Sequence, residues 1–286
     1  MKQIAIISGK GGTGKTTLTA SLARIIPDKV MVDADVDASN LELLTDAKIS
    51  SKEKYTEGKF ALINNDKCTS CGLCATNCRF NAIYTDKQER YFTDETACEG
   101  CGVCNLVCPV DAIEMIKSDS GYIKHSRTPF GSLWHGELSA GKDNSGKLVT
   151  IIRENAIKEA MSNSSDWILI DGAPGIGCPV IASLTGVDLV LIITEPTVSG
   201  LHDLERVLDL AKHFNVEARV CINKYDINYE MTAEILRFCE ARGVDLVGKI
   251  PFDPVVTESI VEAMAVVEFK DSEVSDEIKR IWEQIG

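Results

Sequence analysis

Short apolar runs alternate with stretches of helical period along most of the chain. Residues 4–8 read Ile-Ala-Ile-Ile-Ser, and 30–33, 167–171, 189–194 and 219–223 share that form: four to six mostly apolar residues closed by a polar one. Runs that are apolar on both faces suit parallel strands covered on each side. Between them, 16–26 sets Leu18, Leu22, Ile25 and Ile26 at helical spacing, and Pro27 stops the run. Residues 201–214 and 232–242 have the same period. The pattern predicts an α/β fold, a mostly parallel sheet with helices on both faces.

This rhythm breaks between about residue 60 and residue 116. Two similar halves appear there, each a cysteine run with an apolar tail, Asn81-Ala82-Ile83-Tyr84 and Asp111-Ala112-Ile113-Glu114. The repeat follows the second strand, so it reads as an insertion and not as a terminal fusion. The predicted division is a main domain over 1–58 and 118–286 with a small α+β domain over 59–117 inserted in it. Residues 121–146, rich in glycine and serine, read as a long loop leading back.

Composition narrows the chemistry. Eleven cysteines occur in 286 residues, and eight of them lie between Cys68 and Cys108. Clustering of that kind in a reducing compartment means metal, not disulfides. The formal net charge of −13 argues against nucleic acid and anionic membranes as partners. No apolar run approaches the roughly 20 residues needed to cross a bilayer, and residues 1–8 run straight into glycines without a secretory pattern. A cytoplasmic protein is expected.

Gly9-Lys10-Gly11-Gly12-Thr13-Gly14-Lys15-Thr16 fits G-x4-G-K-[ST] between a strand and a helix. Backbone N–H groups of such a loop face phosphate oxygens. Lys15 is expected at the β- and γ-phosphates and Thr16 on Mg²⁺, with Thr17 beside it. The additional Lys10 makes K-G-G-x-G-K-T-T, which resembles the deviant phosphate loop of the MinD, ParA, Mrp and nitrogenase iron protein superfamily. That resemblance implies ATP hydrolysis and a sandwich dimer in which Lys10 reaches the nucleotide of the opposite subunit. Val32-Asp33-Ala34-Asp35 resembles the family's D-x-D, with Asp35 positioning the attacking water and Asp33 supporting the Mg²⁺ shell. Asp171 in Ile170-Asp171-Gly172-Ala173-Pro174-Gly175 resembles the Mg²⁺-holding Walker B aspartate, followed by a mobile switch. Asn223-Lys224-Tyr225-Asp226 taken alone matches the guanine-reading N-K-x-D. In the family context Asn223 contacts adenine, with Pro251 and Asp253 in a second base-side segment. ATP is expected, and GTP is the alternative.

Cys68-x2-Cys71-x2-Cys74-x3-Cys78 and Cys98-x2-Cys101-x2-Cys104-x3-Cys108-Pro109 form the run of two-cluster bacterial ferredoxins. The first three cysteines of a run surround one cubane, and the fourth reaches the other. One [4Fe–4S] cluster is thus assigned to Cys68, Cys71, Cys74 and Cys108. The second is assigned to Cys98, Cys101, Cys104 and Cys78. Paired zinc knuckles would be spaced differently.

Cys178 stands where the nitrogenase iron protein, which the chain resembles here, has a cluster-ligating cysteine. The second cysteine of that pattern is missing, and a small residue at a helix start is the plainer reading. Cys221 and Cys239 read as core thiols. His125 and His135 read as packing residues near Trp134. The 276–286 stretch can form an amphipathic helix without the basic excess of a membrane anchor.

The whole chain resembles MinD-superfamily ATPases carrying an inserted two-cluster ferredoxin domain. The resemblance implies ATP-driven electron transfer or metallocofactor handling. Its form is a homodimer, or a heterodimer with a paralogue, and its target is a redox or metallocofactor protein. The alternative is a switch ATPase whose clusters are structural or redox-sensing and whose output is partner binding.

Overall fold

The computed structural model describes residues 1–139, 141 and 145–286. Strand β1 (Lys2–Ser8) leads through the glycine loop to α1 (Lys15–Ile25), then β2 (Lys29–Asp33) and the short α2 (Leu41–Leu44). Next come β3 (Lys48–Ile63), α3 (Leu73–Thr76), β4 (Ile83–Thr85), β5 (Tyr91–Thr93), α4 (Val103–Leu106), β6 (Ile113–Thr128) and β7 (Gly131–Leu138). The chain continues through α5 (Ser145–Asn163), β8 (Trp167–Pro174), α6 (Cys178–Leu184), β9 (Leu189–Thr194), α7 (Val198–His213) and β10 (Glu217–Asn223). A 3₁₀ turn at Tyr225–Ile227 precedes α8 (Tyr229–Arg242), β11 (Asp245–Ile250), α9 (Pro254–Val261), α10 (Val266–Phe269) and α11 (Glu273–Ile285).

The large sheet has the order β11-β10-β9-β1-β8-β2-β7-β6-β3. From β11 to β7 every neighbouring pair is parallel. Side chains of a strand alternate between faces. Ile4, Ile6, Leu189, Leu191 and Leu169 therefore share one face, where they pack with Leu18 and Leu22 of α1 and Ile278 and Ile281 of α11. The intervening residues turn to the other face, against which α5, α6 and α7 lie. Helix α11 is amphipathic because its apolar stripe completes this core: Val274, Ile278, Ile281 and Ile285 are all buried. Ser272 starts it with a capping box.

Two compact units emerge. One comprises Met1–Glu53, Ile123–Glu137 and Ser145–Gly286, and the other Lys54–Tyr122 with the described residues of 138–144. The second unit has a small core of Ala61, Cys74, Ile83, Cys104 and Ile113. Its β4 and β5 pair antiparallel.

The reading of 121–146 as a long loop is corrected. β6 runs on to Thr128 and β7 fills Gly131–Leu138, while residues 140 and 142–144 lie outside the described residues. The reason is visible in β6, whose buried positions include Ser118, Ser120, Lys124 and Ser126. The inward face alternates correctly but is polar, so hydrophobic patterning does not mark it. Lys124 is balanced by Glu137 at 2.9 Å, and Ser126 shares a 2.9 Å hydrogen bond with His135 Nε2. Among the described residues, no helix is long and apolar enough to cross a membrane.

Candidate functional site

The carboxyl ends of the parallel strands, where ligands gather in such sheets, carry the polar residues that close each apolar run. Gly14 has φ 93, and a Cβ there would meet Asn223 Nδ2 at 2.5 Å, so only glycine fits. Asn223 Nδ2 donates to the Thr13 carbonyl at 2.8 Å, which ties the loop to the end of β10. Lys15 begins α1 and is buried, with Asp171, Asp35 and Asp33 as its charged neighbours. Burial lowers its pKa against the pull of those three carboxylates.

Asp33 and Asp171 are paired in register on β2 and β8. Both are raised above the ordinary carboxylate range, by burial first; for Asp33 the charge of Asp171 comes next. Asp171 Oδ1 accepts from Thr19 Oγ1 at 3.0 Å, whereas its buried Oδ2 has no protein partner. A buried acceptor without a donor is costly, and one facing a phosphate loop fits a hydrated cation. Thr16 lies beside it on α1, and its hydroxyl draws the Asp171 pKa down. Asp33 is differently placed. Its Oδ2 accepts from Ser39 Oγ (2.7 Å), Asn40 N (3.1 Å) and Leu41 N (3.0 Å), and its Oδ1 from Asp35 N (3.1 Å). It anchors the start of α2 and the turn that carries Asp35. Asp35 is half-buried and raised by burial, with Lys15 pulling the other way. The switch segment touches the loop's strand directly, Gly175 N donating to Ser8 O at 2.8 Å.

Lys10 does not join the Lys15 cluster. Its Nζ lies 3.2 Å from Glu195 Oε2, and Glu195 Oε1 takes Lys224 Nζ at 2.7 Å. Glu195 is a residue that the sequence reading missed. Its signal was its position, an acidic residue directly following an apolar run, as Asp33 and Asp171 also do. Beyond Asn223, Asp226 Oδ1 accepts from Phe252 N at 2.7 Å. Pro251 is buried, and Asp253 caps α9 by accepting from Val255 N at 2.9 Å.

In the second unit the two cysteine runs fold into matching halves. Gly72 and Gly102, at φ 77 and φ 76, open the one-turn helices α3 and α4. Cys78 Sγ accepts from Ala82 N at 3.4 Å and Cys108 Sγ from Ala112 N at 3.2 Å, the same offset in each half. Two small cavities result. One is lined by Cys68, Cys71, Cys74 and Cys108. The other is lined by Cys78, Cys98, Cys101 and Cys104. Each therefore takes three cysteines from one run and the fourth from the other. No three His, Cys, Asp or Glu side chains among the described residues converge as one metal ion would require. Four thiols spread around a cavity fit a cuboidal cluster instead. Burial raises the Cys74 and Cys104 thiols, and iron ligation would deprotonate them outright.

The remaining cysteines and histidines separate clearly. Cys221 and Cys239 are buried, and burial raises both thiols, Cys239 to about 11. Cys178 is exposed at the first position of α6. His125 stacks on Trp134 at 4.5 Å, and Trp134 Nε1 donates to Glu159 at 2.5 Å. His135 Nδ1 lies 3.4 Å from Glu42. It is nevertheless neutral, because full burial and the neighbouring Lys124 lower its pKa to about 4.

Comparison with known proteins places these features in context. Residues 4–266 match the family model described as the CobQ/CobB/MinD/ParA nucleotide binding domain. The chain is 37% identical over 289 residues to protein MJ0578 of Methanocaldococcus jannaschii, spanning 99% of this chain and 96% of that one. It is 24% identical over 301 residues to the iron-sulfur cluster carrier protein of Pyrococcus furiosus, covering 99% and 85% of the two chains. Among solved structures, the septum site-determining protein MinD of Pyrococcus horikoshii, complexed with Mg-ADP, superposes with a TM-score of 0.59 at 20% identity, over 99% of this chain and 95% of that one.

Proposed function

The chain belongs to the CobQ/CobB/MinD/ParA nucleotide-binding family, and from that premise we propose that it is a Mg²⁺-dependent ATPase acting as a nucleotide-controlled dimer that couples ATP to electron transfer. The observation that carries the reading is the pair of four-cysteine cavities, each closed by a cysteine of the other run. Two [4Fe–4S] clusters held there would supply one-electron chemistry at low potential. Four protein thiolates per cluster favour retention, and so electron transfer over delivery of the clusters themselves. The relative named as an iron-sulfur cluster carrier supports metallocofactor work more broadly.

Each residue of the nucleotide site has a role in this reading. The loop N–H groups and Lys15 hold the β- and γ-phosphates. Thr16 and the unpartnered Asp171 Oδ2 would hold Mg²⁺, which would neutralise phosphate charge there. Asp35 orients the attacking water, and Asp33 fixes the Asp35 turn through its four hydrogen bonds. Asn223 faces adenine. Asp226 commits one of its two oxygens, Oδ1, to Phe252 N, which gives it a bracing role in the wall between the turn after β10 and the loop after β11, and ATP is the nucleotide of this reading. Lys10 completes the site of the other subunit, in a homodimer or in a heterodimer with a paralogue. The acceptor is a redox or metallocofactor protein of the cytoplasm.

The test is to purify the protein anaerobically and follow cluster potentials and EPR spectra with no nucleotide, with ADP and with a non-hydrolysable ATP analogue. ATP-gated electron transfer requires a nucleotide-dependent shift. Unchanged spectra with loss of iron to an apo-acceptor would instead identify a carrier. Unchanged spectra with nucleotide-dependent capture of a partner would identify a switch.

A further inference from the structure

The two lysines of the phosphate loop face different partners. Lys15 is surrounded by Asp171, Asp35 and Asp33, while Lys10 turns to Glu195 at 3.2 Å. Glu195 is shared, since Lys224 Nζ lies 2.7 Å from its other oxygen. Only 12% of the Glu195 side chain is exposed, against 33% for each lysine. Burial opposes the Glu195 charge, yet the hydrogen bonds from Lys224 and Lys10 hold its carboxyl below the usual range.

The backbone fixes this arrangement from both sides. Lys224 has φ 54, a left-handed conformation uncommon for a side chain of its size. That turn follows Asn223, whose Oδ1 accepts from Lys224 N at 3.0 Å. Glu195 is held by its own carbonyl, which accepts from Thr197 N at 2.8 Å. A Cβ on Gly200 would strike that carbonyl oxygen at 2.2 Å, so α7 packs directly on it. Strain of this kind, held by the surrounding structure, marks positions with a functional constraint.

We propose that Glu195 is a cis latch for Lys10: it holds the lysine within its own subunit, shared with Lys224, and must release it before Lys10 engages the nucleotide of a second copy. The inference rests on the dimer reading above and deepens it. Release breaks one partly exposed ion pair. Lys224 stays on Glu195, so the carboxylate is not left unpaired. The latch therefore sets how much ATP is needed to form the dimer. In its absence, Lys10 of each free subunit is already available to a partner.

The test uses the full chain loaded with its clusters. Dimer formation is followed by analytical ultracentrifugation across a titration with a non-hydrolysable ATP analogue, for the wild type, Glu195→Gln, Lys10→Met and the double variant. Glu195→Gln is expected to reach half-dimer at roughly two- to fivefold less analogue, the range for a partly exposed ion pair. In the Lys10→Met background the same substitution is expected to give no gain. A wild type that dimerises while Glu195→Gln needs as much analogue or more overturns the latch and leaves the dimer reading standing. An equal gain without Lys10 also overturns it and assigns the effect to Lys224. A wild type that stays monomeric at saturating analogue overturns both. If thermal unfolding shows Glu195→Gln to be misfolded, Glu195→Asp withdraws the carboxylate by one methylene and carries a smaller gain with the same overturning outcomes.

Discussion

Asp33 and Asp171 stand opposite each other on adjacent parallel strands, both buried and both raised above the ordinary carboxylate range. Each therefore keeps its proton to higher pH in the folded chain than in the unfolded one. Folding takes up protons, and the stability this gives is lost as pH rises from the usual carboxylate range through the raised one. Replacing Asp171 by Asn removes the repulsion. Nucleotide-free Asp171→Asn is expected to melt about 3 °C higher than wild type at pH 7.5, roughly the effect of 1 kcal/mol in a chain of this size. The gap should close toward pH 5, and Mg²⁺-dependent ATP hydrolysis should be lost. A gap that widens on acidification would contradict the pairing.

His135 predicts the opposite slope. Its pKa falls from 6.5 to about 4 because burial disfavours the imidazolium. The unfolded chain binds the proton first, so stability is full above pH 6.5 and is lost as pH falls toward 4. The contribution is at most roughly 3 kcal/mol, the free energy of that shift. Denaturant unfolding at pH 7.5, 6 and 5 should show a smaller acid loss for His135→Gln than for wild type. Parallel slopes would mean that the imidazole is not held neutral.

What the sequence made legible, and what it hid, follows from how far each signal reaches along the chain. The phosphate loop and the cysteine runs are local, with their candidate residues a few positions apart and the signal carried by spacing. The parallel strands declare themselves because they are apolar on both faces, and Asp33, Asp171 and Asn223 close their apolar runs. β6 and β7 stayed hidden because Ser118, Ser120, Lys124, Ser126 and His135 are buried and polar. Glu195 stayed hidden because its meaning depends on Lys10 and Lys224, distant in sequence and brought together only by the order of β1, β9 and β10. The crossed cysteine sets share that long-range character, but the ferredoxin-type spacing of the two runs made them predictable.

The crossed sets make a distinctive prediction for cysteine variants. Cys78 and Cys98 belong to different runs yet line one cavity, as do Cys108 and Cys68 in the other. Cys78→Ser and Cys98→Ser should perturb the same EPR signal, and the double variant should look like either single variant. Cys108→Ser should alter the other signal. Iron content should fall by up to about four atoms per chain for loss of one cubane. Grouping of the effects by run, with Cys78→Ser matching Cys68→Ser, would exclude the crossed arrangement.

Asp226 separates the two nucleotide readings. Its carboxylate accepts from Phe252 N at 2.7 Å and so ties the turn after β10 to the loop after β11. A guanine-reading aspartate has to keep its oxygens for the base, and its removal would cost GTP binding selectively. Here Oδ1 braces the two loops instead. Asp226→Ala is therefore expected to weaken ATP several-fold, about the worth of one exposed hydrogen bond, by loosening the segment that carries Pro251. The preference for ATP over GTP should stay unchanged, since Asn223 and the phosphate loop are untouched. Displacement of a fluorescent ATP analogue by ATP and by GTP, in wild type and variant, measures both quantities. A variant that loses GTP binding while keeping ATP affinity would return Asp226 to the base and make this site a guanine site.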